Sequence, residues 1–353
     1  MDMHYVNPVI KDFLRTSQPE NRAGYVRLDQ NENPDGVPKW LFRKAMRKIT
    51  PSYLSLYPEE IRFTTKYAQL LGLECENVTL TDGSVVAMGY VVKVFGEQGK
   101  KLLCVTPTFG MYKVYADMQQ METEFIHYES DYTFNVDKLI DRIDLRTSLV
   151  SLVNPNMPIG NVYSRHDIER VVEKARSVNA LVIIDEAYHY FYEKDSLALI
   201  QKYDNVIILR TFSKFLSIPG LRMGVVISSE ENVQYIKNYK PHYTVNGVAL
   251  AFGEVMVDNF DRLYRDLKKT FEDGKRFLLM ALKDMSYSYI PTEGCFICIR
   301  PKHRTAEEIT EALKARNILI FCGKGDSAGF LRVTIWGRKH MKCFIKALQE
   351  IDR

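Results

Sequence analysis

The stretch VIILRTFSKFLSIPGLRMG, residues 206–224, opens on four apolar residues, Val206 to Leu209, and then turns polar. A short apolar run bounded by turn residues reads as a buried strand. Lys214 stands at the exit of that strand between Ser213 and Phe215, with no acid beside it in sequence. Arg222 follows eight positions later. Taken by itself, Lys214 is an ordinary solvated lysine. The rest of the chain offers a different reading.

Upstream and downstream, short apolar segments alternate with helical patterns. Strands are expected at Val78–Thr81, Leu102–Thr106, Leu149–Val153, Leu181–Asp185, Val206–Thr211 and Met223–Ile227. Several are apolar on both faces rather than alternating, as strands covered by helices on each side are. Helices are expected at Val85–Phe95, Met111–Gln120, Arg165–Val178 and Leu197–Tyr203. The alternation predicts an α/β fold with a mostly parallel sheet. After about residue 255 the pattern changes to a long helix, Asp261–Met285, then strands at Phe296–Arg300, Ile318–Phe321 and Phe330–Ile335. Helices at Ala306–Ala315 and Lys339–Glu350 are interleaved with those strands. This predicts a large domain over 35–255, with 1–34 and 256–353 forming an N-terminal arm and a small α+β domain.

Composition narrows the function classes. Across 353 residues, 46% hydrophobic and 26% charged, the net charge of +4 is too small to indicate nucleic-acid or membrane binding. No apolar run has the length of a membrane span. The opening MDMHYVNPVIKDFLRT lacks a continuous apolar core and does not read as a signal peptide. The six cysteines are scattered, and the one CxxC pair, Cys295 and Cys298, lies in the apolar segment GCFICIR. On a strand, positions i and i+3 face opposite sides, which is poor metal geometry. Free thiols and a cytoplasmic location are expected.

Sites on open α/β sheets form at the carboxyl ends of the strands. Five strand ends here carry polar or aromatic groups. They are DGS (Asp82 to Ser84), PTFGMY with Phe109, NPNMPIG (residues 154–160), DEAYHYF with Asp185 and Tyr188, and the pair Ser213–Lys214. A glycine-serine turn opening a helix offers N–H groups to a phosphate, and Arg222 and Ser213 can complete an anion site. A strand-end carboxylate can keep a pyridinium nitrogen protonated. A phenol can bond a ring hydroxyl, and Phe109 can cover a flat ring. A lysine amine can form a Schiff base with an aldehyde. A phosphate, a ring nitrogen, a phenolic oxygen and an aldehyde together describe pyridoxal 5'-phosphate.

The stretches TFSKFLSIPGLRMG, NPNMPIG, DEAYHYF, LDQNENP and FLRVTIW resemble the fold-type I pyridoxal-phosphate enzymes of aminotransferase class I/II, in the histidinol-phosphate aminotransferase branch. That branch also contains phospho-amino-acid decarboxylases. The resemblance runs from residue 30 to residue 332. It implies that Lys214 is the Schiff-base lysine and proton shuttle. Asp185 is then the pyridinium partner, and Tyr188 faces the ring oxygen. Ser213, Arg222 and the Gly83–Ser84–Val85 backbone hold the phosphate. It further implies a homodimer in which Tyr57, of SLYPEE, reaches the neighbour's cofactor. Arg332 pairs with the substrate α-carboxylate, and Asn31 lies on an N-terminal segment folded over the site. Tyr25, Arg22, Lys324 and Arg338 are candidates for a substrate phosphate. The segment KGDSAG, residues 324–329, reads as a loop that can line the pocket.

One motif departs from the family. Where NPNNPTG is usual, this chain has Met157 in place of the asparagine that donates to the ring oxygen, and Ile159 in place of threonine. Methionine has no donor. Losing a donor beside a charged group costs about 1.5–3 kcal/mol of local interaction. Tyr188 is then left to hold the ring oxygen. The expected activity is transamination between an amino acid and a keto acid or a small carbonyl compound, possible phosphate included. Decarboxylation of a phospho-amino acid is the alternative.

Overall fold

The computed structural model describes residue 4 and residues 6–11 and 21–353; the rest of the 1–34 arm lies outside the described residues. Among the described residues twelve strands occur in chain order: β1 Val26–Leu28, β2 Val78–Thr81, β3 Lys101–Thr106, β4 Glu122–His127, β5 Thr147–Val153, β6 Leu181–Asp185, β7 Val206–Thr211, β8 Gly224–Ser228, β9 Tyr289–Ile290, β10 Phe296–Ile299, β11 Ile318–Cys322 and β12 Leu331–Thr334. Seven of them form one sheet in the order β2-β8-β7-β6-β5-β3-β4. Only β8 runs antiparallel to its neighbours, β7 and β2.

The alternation of apolar residues explains why this sheet is a middle layer. Along β5, Val150 and Leu152 enter one apolar core, and Leu149 and Val153 enter the other. Along β7, Val206 and Ile208 face the first core, and Ile207 and Leu209 face the second. Helix α1, Ser84–Phe95, covers the second face with Ala87, Met88, Val91 and Val92. Helix α2, Met111–Met118, adds Tyr112 and Ala116 to the same face. Helix α3, Arg165–Arg176, covers the first face with Ile168, Val171, Val172 and Ala175. Each such buried aliphatic side chain contributes about 1.5–3 kcal/mol relative to exposure.

The other five strands form a second sheet, β1-β11-β12-β10-β9. Here β1 pairs parallel with β11, Val26 opposite Ile318 and Leu28 opposite Ile320. The N-terminal segment is thereby stitched to the C-terminal part of the chain. Helices α4, Phe260–Asp284, and α5, Arg338–Ile351, pack against each other in this part of the chain. The strands expected from the sequence are present with ends shifted by one or two residues, and the expected Leu197–Tyr203 helix shortens to Leu199–Lys202. Three strands were not expected from the sequence, and one of them, β9, is only two residues long. β1 is three residues long, and β4, ETEFIH, is an edge strand with only Ile126 fully buried.

Candidate active site

A cavity of about 660 Å³ opens at the carboxyl ends of β5, β6 and β7. The second sheet closes its far side with Leu319, Ile320 and Phe321 of β11 and Arg332 of β12. Asp29, Gln30 and Asn31, the residues just after β1, also line it. Of the site residues expected from the sequence, the cavity wall carries Ser84, Val85, Phe109, Met157, Asp185, Tyr188, Ser213, Lys214, Arg222, Arg332 and Asn31.

The end of the cavity at α1 is built for an anion. Gly83 precedes the helix with φ of 93°. A Cβ there would lie 2.6 Å from Nη2 of Arg222, so only glycine lets the guanidinium approach the helix start. Arg222 itself has a left-handed backbone, φ 53°, and its Nη1 donates to Ser213 Oγ at 3.3 Å. The first N–H groups of α1 have no acceptor within the helix. Backbone donors, a hydroxyl and a guanidinium thus converge on one spot.

Asp185 ends β6 at the floor of the cavity. Its Oδ1 accepts from the Ala187 N–H at 3.0 Å and its Oδ2 from the Tyr112 hydroxyl at 3.1 Å. Burial pushes the carboxyl up to about 6, against those two hydrogen bonds and the Lys214 charge. A group in that condition favours a cation beside it. Tyr112 escaped the sequence reading. Its signal was its place in the first turn after the β3 strand end, within PTFGMY.

Lys214 is half-buried at the wall, and its Nζ donates to the carbonyl of Gln30 at 2.8 Å. Burial of the ammonium lowers its affinity for a proton below the ordinary lysine value, and Arg332 and Arg222 push the same way. Its one hydrogen-bond acceptor is a neutral carbonyl, 184 positions away in sequence.

Arg332 is buried on β12. Its Nη2 donates to the Asp29 carbonyl at 2.9 Å, and its Nη1 donates to the thioether sulfur of Met157 at 3.0 Å. The guanidinium carbon sits 4.2 Å from the ring centroid of Phe321. Among the described residues its buried Nε has no hydrogen-bond partner. Across the cavity, Asn31 donates from Nδ2 to the Tyr188 hydroxyl at 2.9 Å, so the phenol keeps its own proton free to donate. Asn31 is anchored in turn through its N–H to Thr334 Oγ1 at 3.0 Å.

The NPNMPIG segment packs for a visible reason. Ile159 is fully buried with Ile290, Cys298 and Phe330, where a threonine hydroxyl would lack an apolar fit. Gly160 has φ of 90°, and a Cβ there would strike Thr292 Oγ1 at 2.0 Å.

Several candidates lie elsewhere. Tyr57 is 76% exposed, stacked on Tyr243 at 4.7 Å, and does not line the cavity of its own chain. Of the four phosphate candidates, only Lys324 lines the cavity. Arg22 is held by Asp29 and Glu32, at 2.5 and 2.7 Å. Arg338 pairs with Asp273 at 3.4 Å, and Tyr25 is not part of the wall. Cys295 and Cys298 face apart, toward the carbonyls of Asn31 and Pro158.

Pyridoxal phosphate fits these residues on three grounds. The glycine-cleared cup beside Arg222 suits its phosphate. The buried carboxyl of Asp185, its charged form disfavoured by burial, suits a protonated ring nitrogen beside it. The Lys214 amine, without an acid partner, suits its aldehyde.

A family model for aminotransferase class I and II matches residues 23–348. Histidinol-phosphate aminotransferase 1 of Carboxydothermus hydrogenoformans is 30% identical over 341 residues, spanning 96% of each chain. The solved histidinol-phosphate aminotransferase of Sinorhizobium meliloti, in complex with pyridoxal-5'-phosphate, matches with a TM-score of 0.86 at 20% identity, covering 99% of this chain and 97% of that one. The L-threonine-O-3-phosphate decarboxylase of Porphyromonas gingivalis matches with a TM-score of 0.79 at 21% identity, covering 92% and 98%. The two solved structures share the fold.

Proposed function

The chain belongs to the aminotransferase class I and II family, and from that premise we propose that it moves an amino group between an amino acid and a small phosphorylated carbonyl compound of the histidinol-phosphate kind. It is a pyridoxal-phosphate-dependent transaminase. The observation that carries the reading is the buried, partnerless Nε of Arg332 in the same cavity as Lys214. A buried guanidinium donor needs an acceptor, and a substrate carboxylate is one.

Bound pyridoxal phosphate supplies an aldehyde for the amine and a ring that draws electrons from the substrate Cα. The residues divide the remaining work. Arg222, Ser213 and the first N–H groups of α1 bind the phosphate. Asp185 keeps the proton on the ring nitrogen. Tyr188, braced by Asn31, donates to the ring oxygen. Phe109 lines the wall beside the ring. Arg332 ties down the carboxylate, so that group is not released. Lys214, with its lowered proton affinity, moves the Cα proton instead. Lys324 at the cavity rim is assigned to the substrate phosphate.

The reading is checked by incubating the enzyme with a panel of amino donors and phosphorylated carbonyl acceptors, with mass detection of products. New amine on the acceptor, with keto acid from the donor, is the expected result. Carbon dioxide release without amino transfer would assign the site to phospho-amino-acid decarboxylation.

The enzyme is proposed to act as a homodimer with shared sites. Leu54, Leu56, Tyr57, Ile61 and Tyr243 leave a run of apolar surface, each more than half exposed. A second copy covering it brings Tyr57 to the neighbouring phosphate. Tyr57→Phe is expected to weaken cofactor retention by about 10–100-fold, the worth of one hydrogen bond to a charged group. Unchanged retention in a dialysis assay would count against the shared site. Among the described residues no helix is long and apolar enough to cross a membrane. All six cysteines are free, which supports the proposed cytoplasmic location.

A further inference from the structure

Arg332 presents an unusual set of neighbours for a buried cation. One donor is spent on the Asp29 carbonyl, and the face of the guanidinium rests on Phe321. The Nη1 donor goes to the sulfur of Met157 at 3.0 Å, and Nε goes to nothing. No carboxylate of the described residues pairs with it. A thioether is a weak acceptor, soft and carried on a side chain with three rotatable bonds. It can occupy a guanidinium donor and give it up cheaply. Met157 is only half-buried, so its side chain has cavity space to move into.

We propose that Met157 is a positioning residue acting through Arg332: its sulfur holds the guanidinium flat on Phe321 and yields Nη1 to the incoming substrate carboxylate. The inference rests on the reading of Arg332 as the carboxylate anchor. It goes beyond the loss of a donor to the ring oxygen, because it gives the methionine a task of its own. An amide in that place would compete with the substrate for Nη1. A plain hydrocarbon would leave the donor unpaired and more eager for a carboxylate. Met157 lies between those limits.

The test uses the loaded holoenzyme and propionate, an unreactive monocarboxylate, titrated through the change it causes in the near-visible absorption of the bound cofactor. Three variants are compared with the wild type: Met157→Leu, Met157→Gln and Arg332→Lys. In the leucine variant the propionate Kd is expected to fall by about 2–5-fold, and in the glutamine variant to rise by about 3–10-fold, the range of one neutral hydrogen bond. The substrate KM is expected to follow these shifts while kcat stays within about twofold. Opposite shifts cannot come from general damage to the wall, which would weaken binding in both. If both Met157 variants bind as the wild type does, or both more weakly, while Arg332→Lys loses affinity, the role of Met157 is overturned and the anchor stands. If Arg332→Lys also binds unchanged, the carboxylate is held elsewhere, and the anchor reading falls with the inference.

Discussion

Lys214→Ala enzyme is expected to lose the near-visible band of the lysine-bound cofactor and to transaminate at least about 10⁴-fold more slowly than the wild type. Two roles vanish together, the amine that binds the aldehyde and the base that moves the Cα proton. The surroundings offer no replacement. Arg222 and Arg332 on the cavity wall are guanidiniums that do not deprotonate in proteins, and the other wall lysines, Lys314 and Lys324, lie on the far side of the cavity with the second sheet and its flanking helix rather than at the β7 strand end. The Gln30 carbonyl that now accepts from Lys214 has no proton to give. Residual activity within tenfold of the wild type, measured with added cofactor at saturating donor, would remove Lys214 from the chemistry. Added small amines are expected to restore part of the rate by standing in for the missing ammonium group.

The second large effect is expected at Asp185. Removing one partner of a buried ion pair costs about 3–5 kcal/mol, so Asp185→Ala should lower kcat/KM by about 10²–10⁴-fold. The loss arises because the ring nitrogen no longer keeps its proton. A companion result in the cofactor-stripped protein has a definite sign. Burial raises the Asp185 carboxyl from 3.8 to about 6 in the folded chain. A raised acid stabilises the fold below its unfolded value, and that contribution fades as pH climbs through about 6. Between pH 4 and pH 8 the stripped wild type should therefore lose roughly 3 kcal/mol relative to stripped Asp185→Asn, by urea unfolding. With cofactor bound, the cation beside Asp185 should cancel or reverse the trend. Parallel stability curves for the two stripped proteins would mean that the carboxyl is not strained.

The sheet and the catalytic end of the cavity were readable because both follow from short-range pattern. Strands β6 and β7 each open on four consecutive apolar residues, Leu181 to Ile184 and Val206 to Leu209, and their carboxyl ends bring Asp185 and Lys214 to the cavity. The other side of the cavity was not readable, for two physical reasons. The Lys214 and Arg332 partners there are backbone carbonyls of Gln30 and Asp29, and a carbonyl leaves no trace in residue type. The fate of a surface arginine also depends on acids far off in sequence. Arg338 and Asp273 pair across 65 positions, which disqualifies a phosphate candidate that looked free. Met157 illustrates the mixture. Its departure from the family motif was plain in NPNMPIG, yet its contact with Arg332, 175 positions on, was not.

The stitching of β1 to β11 bears on how this site comes into being during synthesis. Asp29 and Gln30 leave the ribosome early, but Arg332, the partner of Asp29, follows 303 residues later. At about 5–20 residues per second that is a wait of roughly 15–60 s. During it the seven-stranded sheet, complete by Ser228, can already form. The wall that carries Arg332, proposed here to hold the substrate carboxylate, is thus the last part of the enzyme to exist. A nascent chain can carry a formed Lys214 strand and still be unable to grip a substrate, and chains cut short near the C-terminus remain inert.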